Sequence, residues 1–238
     1  MFHAAYDSTW QHPGIAWIAG APLAAFALLA YASQRRAHDL DPRRRAWLAA
    51  FIVLELVVLL DAWLTSPLAP RPLLGDGAAA QTASVVFIVL GDLRYFYLVE
   101  RQRGPSAAGA SASLRALAIA VPVSLLLPIA TAVGKLVAPA RFQGTSLYLI
   151  YELGLLVVAL VYALLRAPRP TDAGDGRRRY VGRLLAVELA QYGLWAAADV
   201  LILAGVDAGY LLRMVPNAIY YAAFVPLATL ATPAGSRT

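Results

Sequence analysis

Apolar runs of bilayer-crossing length recur seven times along the chain, separated by short polar connections. They cover approximately residues 13–33, 46–66, 81–99, 115–137, 146–166, 182–204 and 209–231. A hydrocarbon core about 30 Å thick takes roughly 20 residues of helix, so each run is long enough to span it. Nothing alternates with the period of a barrel strand, and lipid offers no partner to backbone groups outside a helix or a closed barrel. The pattern predicts an all-α integral membrane protein, with seven transmembrane helices forming a single domain over residues 1–238. Little chain is left for a soluble domain.

Composition agrees with the pattern. The chain is 60% hydrophobic and 14% charged, with a mean hydropathy of +0.62, too apolar for an ordinary soluble domain of 238 residues. Its net charge of +6 would point to nucleic acid in a soluble protein, but here the basic residues sit in loops. Fifteen of them fall on one side: Arg35, Arg36, Arg43, Arg44 and Arg45, then Arg101, Arg103 and Arg115, then Arg166, Arg169, Arg177, Arg178, Arg179 and Arg183, and Arg237 in the tail. Arg71, Lys135, Arg141 and Arg213 lie on the other, and Arg94 falls within a span. The positive-inside rule then predicts an outside N-terminus and a cytoplasmic C-terminus in a bacterial-type plasma (inner) membrane. Membrane lipids are the partner this charge implies, and no nucleic acid is expected. Residues 167–181 and 104–111, rich in Gly, Pro, Ser and Ala, read as cytoplasmic linkers.

The last three spans slide over the first three with a weak, ordered match. Residues 30–36 end the first span much as residues 161–167 end the fifth, Glu55 and Glu188 fall in the second helix of each triplet, and Gly91-Asp92 with Tyr95 overlies Pro216-Asn217 with Tyr220. This suggests parallel units, 13–99 and 146–231, joined by helix 115–137 in a 3+1+3 plan. The plan resembles that of the sugar-carrying SWEET proteins and, more loosely, of opsins, although no motif specific to SWEET proteins is present. The resemblance implies a solute site at the repeat interface near the bilayer midplane. Covalent retinal is excluded, because the seventh span has no lysine.

Six acidic residues fall within the spans: Glu55, Asp61, Asp92, Glu152, Glu188 and Asp199. Each costs roughly 2.5–3.5 kcal/mol to insert at the bilayer centre, so several together require a use. Helical rise sorts Glu55, Asp92, Arg94 and Glu188 into an inner layer, and Asp61, Glu152, Asp199 and Arg213 into an outer one, with Asn217 at its inner edge. Glu188, Gln191, Tyr192, Trp195 and Asp199 line one helix face. Tyr148 with Glu152, and Arg213 with Asn217 and Tyr220 or Tyr221, extend the same pattern to spans five and seven. The structural alternative is interhelical pairing, with Arg94 against Asp92, Glu188 or Glu55 and Arg213 against Asp199 or Asp207. Two arginines cannot neutralise six carboxylates, which favours a site.

The three histidines, His3, His12 and His38, lie outside the spans and there is no cysteine. A metal centre therefore lacks its ligands, and no cofactor is implied. A serine nucleophile has no intramembrane base beside it, although a pair of carboxylates sharing a proton is available to an intramembrane enzyme acting on a lipid-soluble substrate. The expected function is a carrier or channel for a small polar solute, proton-coupled, with a central polar and aromatic pocket. A seven-helix sensor signalling to a cytoplasmic partner is the second reading, and the enzyme is the third. Small residues in span four, among them Ala116, Ala120, Ala130 and Ala132, would allow close helix or homo-oligomer contact.

Overall fold

A computed structural model of the chain describes residues 2–4, 26, 29–30, 53, 56–57, 78–102, 110–166, 175–224 and 228. Among the described residues all regular structure is helical, with no strand. Helix α1 runs Ala78–Arg101, α2 Ala110–Val137, α3 Gly144–Arg166, α4 Asp175–Leu203 and α5 Ala208–Ala218. A 3-10 turn, Pro139–Arg141, joins α2 to α3, and α5 continues into a π-helical turn, Ile219–Ala223. Most of the expected spans 13–33 and 46–66 lies outside the described residues.

Three helical segments are long and apolar enough to cross a membrane: Ser111–Val137, Gly144–Arg166 and Gly176–Leu203. By length and composition they are candidate transmembrane helices. Their outward faces carry Leu126, Ile129 and Val133 on α2, Val157, Leu160 and Leu164 on α3, and Val200 on α4, all exposed. In water such a surface would be an aggregation hazard, whereas in lipid it costs nothing. The inward face of α3 is Glu152, Leu155, Ala159, Tyr162 and Ala163, spaced as one side of a helix.

The chain divides into two compact units. One comprises Met1–Gly91 and Ala218–Leu230, the other Asp92–Asn217 and Ala231–Thr238. In the first, the Tyr220 ring lies so close over Gly91 that a Cβ there would meet its hydroxyl at 1.7 Å. Only the missing side chain of Gly91 permits that approach. In the second, α3 packs on α4 and α2 packs on α3, with Leu127 of α2 filling the space a Cβ on Gly154 would occupy.

Helix α4 ends in a tight reversal. Val206 N–H donates to the Leu201 carbonyl at 2.8 Å and Gly205 N–H to that of Ile202 at 3.0 Å, with Gly205 at φ +76°. This is the Schellman arrangement, in which a left-handed residue satisfies the last carbonyls. It brings α5 back against α4, where a Cβ on Gly209 would lie 2.7 Å from the Ala198 carbonyl oxygen.

Two features differ from the sequence expectation. Residues 167–181 are not all linker: α4 begins at Asp175, and Tyr180 and Val181 are buried. The run Arg177-Arg178-Arg179 has good helix formers and no proline, so the helix starts ahead of its apolar part. At the other end of the bundle, burial on α1 continues without a break from Gly91 to Gln102, past the end expected at residue 99. A helix covered on every side needs a bundle around it, not a single partner face.

A buried carboxylate site in the second unit

Asp92 is almost fully buried, and two helices contribute hydroxyls to it. Tyr151 of α3 donates to its Oδ2, and Tyr192 of α4 donates to its Oδ1. Arg94 and Glu188, both buried, are close enough to act on Asp92 through their charges. Two carboxylates and one guanidinium thus share a space from which water is largely excluded. Gln191, one turn along α4 from Glu188, is also buried, and its Oε1 has no hydrogen-bond partner.

A second layer lies about two turns further along α4, seven residues or roughly 10 Å from Tyr192. Asp199, 0% exposed, has Arg213 Nη1 of α5 at 2.8 Å from its Oδ1. The contact is an ion pair, and the Glu152 side chain hydrogen-bonds that of Asp199. Glu152 of α3 faces the same Asp199 carboxylate and feels the same arginine. The Arg213 guanidinium also sits over the Tyr148 ring at 5.1 Å from its centroid. One turn closer to the Asp92 layer, Trp195 Nε1 donates to Asn217 Oδ1 at 2.6 Å, and the Trp195 ring meets that of Tyr192 edge to face at 5.1 Å.

Each helix supplies this layer with an i, i+4 pair: Tyr148 and Glu152 on α3, Trp195 and Asp199 on α4, Arg213 and Asn217 on α5. That spacing stacks both members on one helix face. Helix α3 joins the two layers, since adjacent residues Tyr151 and Glu152 serve Asp92 and Asp199 respectively.

At the far end of α3 a third polar group closes the bundle. Arg166 grips Glu100 as a fork, Nε to Oε1 and Nη2 to Oε2, both at 2.9 Å, and the Tyr162 hydroxyl adds a bond to Oε1 at 2.6 Å. Tyr162 in turn packs edge to face on Phe96, with centroids 4.9 Å apart.

Of the residues expected at a site, Asp92, Arg94, Glu188, Gln191 and Tyr192 therefore gather in one layer, and Glu152, Trp195, Asp199 and Asn217 in the next. Tyr220 belongs to the first unit, where its hydroxyl reaches the Phe87 carbonyl at 3.5 Å. Glu55 and Asp61 lie outside the described residues. Sequence reasoning missed Tyr151 and Glu100. The signal for Tyr151 was its position one residue before Glu152, and for Glu100 its four-residue offset from Phe96 on a helix that extends further than its apolar run. The Asn217 side-chain oxygen accepts from Trp195, and after Pro216 the helix continues as a π-helical turn.

Comparison with family models, curated proteins and solved structures finds no match. Among the described residues no three His, Asp or Glu side chains converge as ligands for a metal ion. What the arrangement offers is carboxylates held in low dielectric, one of which, Asp92, accepts from two tyrosine hydroxyls.

Proposed function

We propose that the chain is a seven-helix, proton-coupled carrier for a small polar solute in the plasma (inner) membrane, its N-terminus outside and its C-terminus cytoplasmic. The observation that carries this reading is the excess of buried acid over buried base on helices of membrane-spanning length. Asp92, Glu152, Glu188 and Asp199 are all buried, and among the described residues Arg94 and Arg213 are the arginines beside them. Pure structural pairing would call for matched charges, whereas an unmatched carboxylate at membrane depth is a natural proton carrier. Tyr151, Tyr192 and the aromatic pair with Trp195 supply hydroxyl steps and contact area beside those acids. The 3+1+3 plan belongs to the same proposal, with the two triplets rocking about the site.

The test is proton movement in proteoliposomes containing the full chain, with pyranine trapped inside and a pH step applied outside. Flux above that of empty liposomes, abolished in a folded Asp92→Asn protein, supports the carrier. Absence of flux in the unmodified protein, with ligand-dependent recruitment of a cytoplasmic partner, would favour the sensor instead.

A further inference from the structure

Two buried polar atoms in the Asp92 layer have no hydrogen-bond partner, and each stands beside Glu188. Gln191 is 2% exposed and its Oε1 is unpartnered. It follows Glu188 by three residues, on the same face of α4. Tyr95 of α1 is 0% exposed with an unpartnered hydroxyl, close enough to Glu188 to feel its charge. Buried polar atoms in native proteins find partners, and each exception calls for an explanation.

An amide oxygen only accepts a hydrogen bond, and so does an ionised carboxylate. With Glu188 charged, Gln191 Oε1 therefore has another acceptor for its neighbour. A protonated Glu188 has one O–H to give, and side chains at this helical spacing reach each other. Tyr95 serves the opposite state, because its hydroxyl is a donor for the charged carboxylate. The two unpartnered atoms thus match the two forms of one acid.

Charge sets how many protons the layer holds, and the hydroxyls set where. Asp92, Glu188 and Arg94 act on one another, so two negative charges meet one positive in a medium that penalises the excess. One proton cancels it. Both oxygens of Asp92 are occupied by phenol donors, from Tyr151 and Tyr192, which solvate it as an anion. A proton on Asp92 would oppose a phenol hydrogen, whereas on Glu188 it meets a waiting acceptor.

We propose that Glu188 is the residue of this layer that takes up and releases a proton, with Gln191 as the acceptor that holds its protonated form and Asp92 as the fixed counter-charge of Arg94. The proposal rests on the carrier reading and gives Glu188 the proton that the carrier moves. An O–H bond forms on Glu188 as hydronium from one aqueous side becomes water, and breaks as water on the other side takes the proton. Among the described residues, Asp92, Arg94 and Tyr95 of α1 face Glu188, with Tyr151 of α3 and Tyr192 of α4 reached through Asp92. Arg213 of α5 is engaged by Asp199 in the next layer, and α2 has no titratable residue between Arg115 and Lys135.

The test is infrared difference spectroscopy of the full chain in lipid, acidified in steps. One sample carries an isotopic label in the side-chain carboxyl carbons of glutamate, another in those of aspartate. The expected result is a protonated-carboxyl stretch that shifts with the glutamate label alone and is lost in Glu188→Gln. In Gln191→Leu the same band should persist but move to higher frequency, because its O–H has lost an acceptor. A buried carboxyl band that follows only the aspartate label overturns the proposal even if both variants fail to fold, and a band unmoved in a folded Gln191→Leu protein overturns it as well. Pyranine-loaded proteoliposomes separate it from the carrier reading. Proton flux with the band on aspartate removes this inference and keeps the carrier; a Glu188 band without flux keeps the protonation site and removes the carrier.

Discussion

The hydroxyl of Tyr192 donates to Oδ1 of Asp92 across 100 residues of sequence, while Tyr151 takes the other oxygen. A single carboxylate thus ties α1 to α3 and α4. Hydrogen bonds to a charged group contribute about 1.5–3 kcal/mol when buried, so Tyr151→Phe and Tyr192→Phe should each lower stability by an amount in that range. Because both act on one carboxylate, the double variant should depart from additivity by about 0.5 kcal/mol or more. Denaturation in mild detergent measures the cycle. Simple additivity would mean that the two hydroxyls bind independently of Asp92.

The fork between Arg166 and Glu100 makes a sharper distinction. The Arg166 side chain is 33% exposed while that of Glu100 is 4%, so truncating the arginine strands a buried acid. Arg166→Ala should cost about 1–3 kcal/mol, below the value for a fully buried pair because solvent already reaches one partner. Arg166→Lys should recover only part of this, since a lysine has no planar fork to match two oxygens. An Ala variant as stable as the unmodified protein would show that the pair contributes nothing.

Two glycines predict opposite outcomes. Gly209→Ala places a methyl 2.7 Å from the Ala198 carbonyl oxygen, a backbone atom that cannot move aside, and should cost about 1–3 kcal/mol. Gly193→Ala meets nothing within 4 Å in the middle of α4 and should be neutral or stabilising by up to about 1 kcal/mol. Thermal melting of both variants checks the close approach of α5 to α4.

Topology is open to direct chemistry because the chain has no cysteine. Arg141→Cys should react with a membrane-impermeant maleimide in intact cells, and Arg178→Cys only in inside-out vesicles. The reverse labelling would invert the orientation proposed from loop charges.

Much of the second unit was legible in the sequence, and the reason lies in periodicity. Glu188, Gln191, Tyr192 and Asp199 repeat at helical spacing on α4, and a polar face in a membrane helix has to turn inward. Depth counting likewise brought Glu152, Asp199 and Arg213 to one level. Tyr151 was hidden because it lies off the buried stripe of α3 and reaches Asp92 only through the length of its ring. Arg166 read as one more loop arginine, since its role depends on Glu100, 66 residues away. Pairing between distant helices leaves no local trace in either of them.

The unbroken burial of α1 from Gly91 to Gln102 has a consequence for how this protein tolerates change. On α3 and α4, whose outer faces are exposed, a saturation mutagenesis map should show stripes, with permissive positions returning every three or four residues. Along that stretch of α1 the stripes should merge into a solid block, intolerant at every position. The helix has no free side on which variation can accumulate.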